Sequence, residues 1–132
     1  MSGGRVGLGC AQCWPESADA AARARDSLKR ERDLVDESHY HVALLRCPAC
    51  SQIFLSVFTE LVDFVDGNDP QYTSNLPLTP AEAEALMKRG DAVTEAELNA
   101  LGPGRKSLAR DFPKVGGVRT FWTTGLRVGP HD

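Results

Sequence analysis

All four cysteines of this 132-residue chain fall in two short stretches, "GCAQCW" at residues 9–14 and "RCPACS" at residues 46–51. Each is a C-x-x-C, pairing Cys10 with Cys13 and Cys47 with Cys50, and 33 residues lie between the pairs. Two residues between thiolates put both sulfurs on one side of a tight turn. A tetrahedral Zn²⁺ accepts two such knuckles at about 2.3 Å per sulfur. Gly9, Pro48 and Ala49 suit a backbone that must fold closely around the sulfurs. The usual gap between paired knuckles is about 15–20 residues, so the longer gap implies an inserted element. The same residues could serve two other chemistries. A redox dithiol wants a βαβ setting with a low-pKa thiol at a helix N-terminus, whereas Cys50 is followed by the strand-like "SQIFLSVF". Two structural disulfides would need an oxidising compartment.

The elements that must position these sulfurs are readable in part. Residues 5–8 are expected to form a short strand entering the first knuckle. Residues 16–37 read as a largely exposed helix: Ala21, Ala24, Leu28 and Val35 make a weak stripe. Asp19–Arg23 and Asp26–Arg30 are i,i+4 pairs, each stabilising a helix by about 0.2–0.5 kcal/mol. The end of this segment is also compatible with a strand. "HYHVALLR" (39–46) and "QIFLSVFTELVDFV" (52–65) are β-rich, so the second knuckle is expected to be the turn of a β-hairpin whose second strand bends. The Gly, Asn, Asp and Pro of residues 66–77 predict a loop. Thr79, Pro80 and Glu82 predict a capping box opening a helix over 80–89, closed by Gly90. Thr94 and Glu97 predict a second box opening a helix over 95–101, with Val93 stapled onto Leu98. Residues 105–117 read as irregular, and 118–124 as a core strand with Val118, Thr120 and Trp122 on one face.

A "CPAC" in a β-hairpin with a C-x-x-C upstream resembles the zinc-ribbon class of domains, over about residues 5–58. The resemblance implies that Cys10, Cys13, Cys47 and Cys50 are the ligands of one structural Zn²⁺ per chain. Such a four-cysteine site is closed, with no position for a reacting water. Ser51 stands where ribbon knuckles often carry glycine. The expected architecture is a single α+β domain: a zinc-ribbon-like hairpin core with an inserted helix over residues 5–66, then an α+β extension over 67–132 containing the helical pair and a further strand.

Other polar residues carry weaker signals. His39 and His41 lie two apart on the predicted strand and read as ordinary hairpin residues, since four cysteines fill a tetrahedral shell. Asp63, Asp66, Asn68 and Asp69 miss the calcium-loop pattern and read as a solvated acidic loop. His131 reads as part of a frayed terminus. No Walker, Rossmann, G-x-S-x-G or H-E-x-x-H pattern is present.

Net charge is −3, against broad attraction to nucleic acid or anionic membrane. The charge is uneven: residues 51–101 are strongly acidic, and residues 102–132 hold Arg105, Lys106, Arg110, Lys114, Arg119 and Arg127. The two blocks are expected to attract each other within one fold. No apolar run approaches the roughly 20 residues of a membrane helix, and "MSGGRVGLGCAQCW" has no apolar h-region, so cytoplasmic residence with reduced thiols is the expectation. These features point first to a non-enzymatic zinc-binding module acting on a protein partner, regulatory or of the immunity type. A nucleic-acid-associated ribbon and a C-x-x-C redox protein are the alternatives.

Overall fold

Six strands lie side by side in chain order, each antiparallel to the next, in a computed structural model that describes residues 8–131. They are β1 (Lys29–Glu37), β2 (Tyr40–Arg46), β3 (Ile53–Glu60), β4 (Gln71–Pro77), β5 (Lys106–Phe112) and β6 (Arg119–Thr124). Three α-helices accompany them: α1 (Ala18–Arg25), α2 (Pro80–Arg89) and α3 (Glu95–Asn99). The fold is mixed α+β. No helix among the described residues is long and apolar enough to cross a membrane.

Alternation along the strands creates two faces. On one, Val42, Leu44, Leu55, Val57 and Leu76 are almost fully buried beneath Ala83 and Leu86 of α2, Val93, and Leu98 of α3. Both capping boxes form, with Thr79 and Glu82 opening α2 and Thr94 and Glu97 opening α3. Val93 and Leu98 share this core, as the staple requires. α3 ends at Asn99, shorter than expected, because Ala100 caps it and the chain turns. On the other face, Ala43, Leu45 and Phe54 pack with Cys13 and Cys47, with Trp14 and Leu28 alongside.

The hairpin around the second knuckle forms as expected, β2 and β3 pairing from Tyr40↔Thr59 to Arg46↔Ile53 in unbroken register, but β3 stops at Glu60 without the expected bend, and residues 61–65 belong to the connection that follows. Four other expectations are corrected. The helix expected over 16–37 is only α1; Asp26 caps it, and Lys29–Glu37 is instead an edge strand. Its charges suit an edge, where they discourage pairing with other chains, and Arg30 pairs with Asp33 at 3.0 Å within the strand instead of with Asp26. The loop expected over 66–77 contains β4, an interior strand with Ser74, Asn75 and Leu76 buried. Its polar side chains are answered: Asn75 Oδ1 accepts Nε–H of Arg25 and Ser74 Oγ accepts the amide of Arg127. The irregular segment expected over 105–117 contains β5, where Leu108 and Ala109 are buried between charged neighbours. The strand expected over 118–124 is an edge strand, half-buried where a core strand was expected. The strand expected over 5–8 lies almost wholly outside the described residues.

Candidate metal centre

The two knuckles are closed by the same backbone hydrogen bond. The amide of Trp14 donates to the carbonyl of Cys10 at 2.7 Å, and the amide of Ser51 donates to the carbonyl of Cys47 at 2.9 Å. Gly9 and Ser51 supply the left-handed residues, at φ 78° and 67°. Ser51 is the only non-glycine with positive φ among the described residues, at the position where a ribbon knuckle often carries glycine. Gln52 joins the knuckles to each other and to the sheet. Its Oε1 accepts the Gly9 amide at 2.9 Å, and its Nε2 donates to the carbonyls of Ile53 and Leu78 at 2.7 Å each.

This frame brings all four predicted cysteines together, with every Sγ within 4.8 Å of the others. Cys10 and Cys13 stand 3.7 Å apart, Cys10 and Cys47 3.9 Å, and Cys13 and Cys50 3.8 Å. Four sulfurs at about 2.3 Å from a central ion form a tetrahedron with edges of about 3.8 Å. A disulfide would bring a pair to about 2.05 Å. The four cysteines are therefore positioned to hold a metal ion. Backbone amides support the sulfurs: Cys10 donates to Cys13 Sγ at 3.2 Å and Ala49 to Cys47 Sγ at 3.4 Å.

The thiols differ in acidity. The backbone amide of Cys13 holds the Cys10 thiol down at about 7. Burial pushes the Cys13 and Cys50 thiols up. Cys13 and Cys47 are buried, Cys10 is half-buried and Cys50 is exposed. Several thiolates gathered in partly buried space would need a cation to offset their charge, which a metal ion held by the four sulfurs would supply.

The site has an aromatic wall that the cysteine spacing did not reveal. Trp14 packs against Phe54 with ring centroids 5.3 Å apart and edge-on to Trp122 at 4.8 Å. Trp122 Nε1–H donates to the carbonyl of Glu16 at 2.8 Å, and Lys106 Nζ lies 4.1 Å from the Trp122 ring centroid. The position of Trp14, next to Cys13, was the available signal; Gln52 carried none.

The histidines lie elsewhere. His39, in the β1–β2 turn, pairs with Glu60 at 3.1 Å, and His41 with Asp36 at 3.0 Å. His131, expected in a frayed end, is docked: its ring stacks on Tyr40 at 4.5 Å and Nε2 lies 2.9 Å from Glu95. The acidic loop is organised by its own backbone, since Asp63 Oδ1 accepts the amides of Val65 and Asp66. Acidic middle and basic tail do meet: Arg105 pairs with Glu82 at 2.7 Å, and Lys114 with Asp63 and Asp66 at 3.2 and 3.3 Å.

Comparison of the chain with models of known protein families, with curated proteins and with solved structures finds no match.

Proposed function

We propose that this chain is a non-enzymatic, zinc-stabilised binding protein whose target is another protein. Cys10, Cys13, Cys47 and Cys50 hold one structural Zn²⁺, which fastens the β2–β3 hairpin and the first knuckle into a zinc-ribbon-like unit. Four sulfurs close the coordination shell, so the ion serves folding and leaves no site for substrate. The free energy of such sites, about 10–16 kcal/mol in small zinc peptides, appears as folding free energy; here the sheet core shares that role.

The observation that carries the binding role lies at the other end of the sheet. Phe64 and Val65 in the β3–β4 connection are 90% and 87% exposed, and Val115 and Val118 in the β5–β6 connection are 84% and 52% exposed. Lys114 bridges the two connections through Asp63 and Asp66. Large apolar side chains held in water on adjacent, braced loops are what a partner surface covers. The tail cations that would serve a nucleic-acid ribbon are largely engaged: Arg105, Lys114 and Arg119 in ion pairs, Lys106 and Arg127 against aromatic rings. That favours a protein partner.

The test is cross-linking affinity capture with the wild-type chain and with the double variant Phe64→Ser, Val115→Ser. The reading expects a protein recovered by the wild type and reduced about fivefold or more by the variant, with metal content unchanged. Equal recovery by both, or recovery of nothing by either, contradicts it.

A further inference from the structure

A cleft of about 390 Å³ opens on the sheet face opposite α2 and α3, beside α1. That volume lies within the range of small-molecule sites. Ser56 and Asn75 form its floor, Phe58 and Phe112 flank it, and Arg25 and Arg110 reach into it. It is separate from the cysteines, none of which lines it.

The floor is built around a cation. Arg25, in the last turn of α1, donates Nη2–H to Ser56 Oγ at 2.7 Å and Nε–H to Asn75 Oδ1 at 3.0 Å. Ser56 and Asn75 are each only 4% exposed. Both partners are neutral, and no carboxylate of the described residues lies within ion-pair distance of this guanidinium. Burial lowers its proton affinity; Asp26 opposes that, and the charges of Arg30 and then Arg110 add to the lowering. A guanidinium has five N–H donors, and the protein occupies two of them here.

The other charges of the cleft are largely spoken for. Arg30 is paired with Asp33, and His41 with Asp36. Asp26 stands exposed at the rim. Arg110 makes no ion pair and lies over the Phe112 ring at 5.0 Å. The cleft therefore presents two guanidinium groups without carboxylate partners, in a chain whose net charge is −3. A planar fork of donors suits the paired oxygens of a carboxylate or phosphate, and the phenylalanines suit an apolar body.

We infer that this cleft binds a small organic anion, with its carboxylate or phosphate between Arg25 and Arg110 and an aromatic or apolar body against Phe58 and Phe112. Arg25 is the pre-positioned anchor, held by Ser56 and Asn75 before the ligand arrives. Arg110, exposed and without an ion pair, its guanidinium resting on the Phe112 ring, completes the clamp.

The probes are benzoate, phenyl phosphate and the uncharged benzamide, titrated into the metal-loaded full chain and followed by amide chemical shifts at about 0.15 M salt. Saturable shifts at residues 56–58, 73–75 and 108–112 are expected with at least one anion, about tenfold tighter than with benzamide. The tighter of the two anions identifies the head group. Arg110→Gln should weaken that binding about fivefold or more without changing the melting temperature or metal content. The inference is overturned by any of three results: no saturable shift with either anion up to about 20 mM, benzamide binding as tightly as the anions, or Arg110→Gln leaving affinity unchanged.

Discussion

Arg105 grips Glu82 through both carboxylate oxygens, at 2.7 and 3.2 Å, and the nearer oxygen also accepts the Thr79 amide at 2.8 Å. One carboxylate thus closes the capping box of α2 and ties that helix to the start of β5, while Arg105 also reaches the Pro77 carbonyl at 3.0 Å. Arg105→Met leaves the box intact but strips the tie. Urea unfolding should show a loss of about 1–2 kcal/mol, and a double-mutant cycle with Glu82→Gln a coupling of about 1 kcal/mol. Additive single effects would mean that the pair contributes nothing beyond the cap.

The helical layer should be acid-sensitive. Burial pushes the Glu82 carboxyl up, but the hydrogen bonds from Arg105 and the Thr79 amide outweigh it and hold the group below its ordinary 4.5. Arg89, with the Thr94 amide, holds Glu97 at about 2. Both carboxyls titrate lower in the fold than in the unfolded chain. Their contribution to stability is therefore complete above about 4.5 and lost as pH falls toward 2. Glu97→Gln keeps a capping acceptor without the charge, so its unfolding midpoint should fall less steeply than wild type over that window. Parallel curves would contradict the assignment.

Much of this layer was legible in the sequence because its signals are local: a Thr, a Pro and a Glu at fixed offsets dictate α2. The β2–β3 hairpin was legible because both strands are interior and nearly continuous in apolar residues. β1 was legible only as the alternative for the end of an exposed helix, since an edge strand can carry the same charges. β4 was not, because its interior polar residues make sense only once Arg25, fifty residues away, is seen to reach Asn75. β5 hides Leu108 and Ala109 between charged neighbours. The four cysteines were legible from spacing alone, whereas Gln52 has no pattern that marks it as the link between knuckles.

Intrinsic fluorescence should report on the metal centre, because both tryptophans of the chain, Trp14 and Trp122, sit at it. Removing the metal frees the knuckle that seats Trp14 on Phe54, so emission should shift to the red. Trp122→Phe should retain the shift and Trp14→Phe should lose most of it. An unchanged spectrum after proven metal removal would place the tryptophans outside the influence of the centre.

The knuckle backbones make opposite predictions for two small substitutions. Ser51 holds a left-handed φ of 67°, so Ser51→Gly relieves strain and should stabilise the protein by about 0.5–1 kcal/mol after the entropy of the unfolded glycine is counted. Gly9 holds φ 78°, and a Cβ there would lie 2.9 Å from Trp14 Cβ and 3.3 Å from Cys13 Sγ. Gly9→Ala should weaken metal retention against a chelator by about tenfold or more. Equal retention by Gly9→Ala and wild type would show that the first knuckle tolerates a shift the structure does not accommodate.

Four sulfurs that lie 3.7–3.9 Å apart along three edges are proposed to hold a structural zinc ion. The direct measurement is metal content of the purified chain by mass spectrometry, with thiol reactivity followed before and after chelation. A zinc centre gives about one zinc per chain and four thiols that react only once the chelator has acted. Absence of metal, with cysteines that react freely or are joined in disulfides, would contradict it.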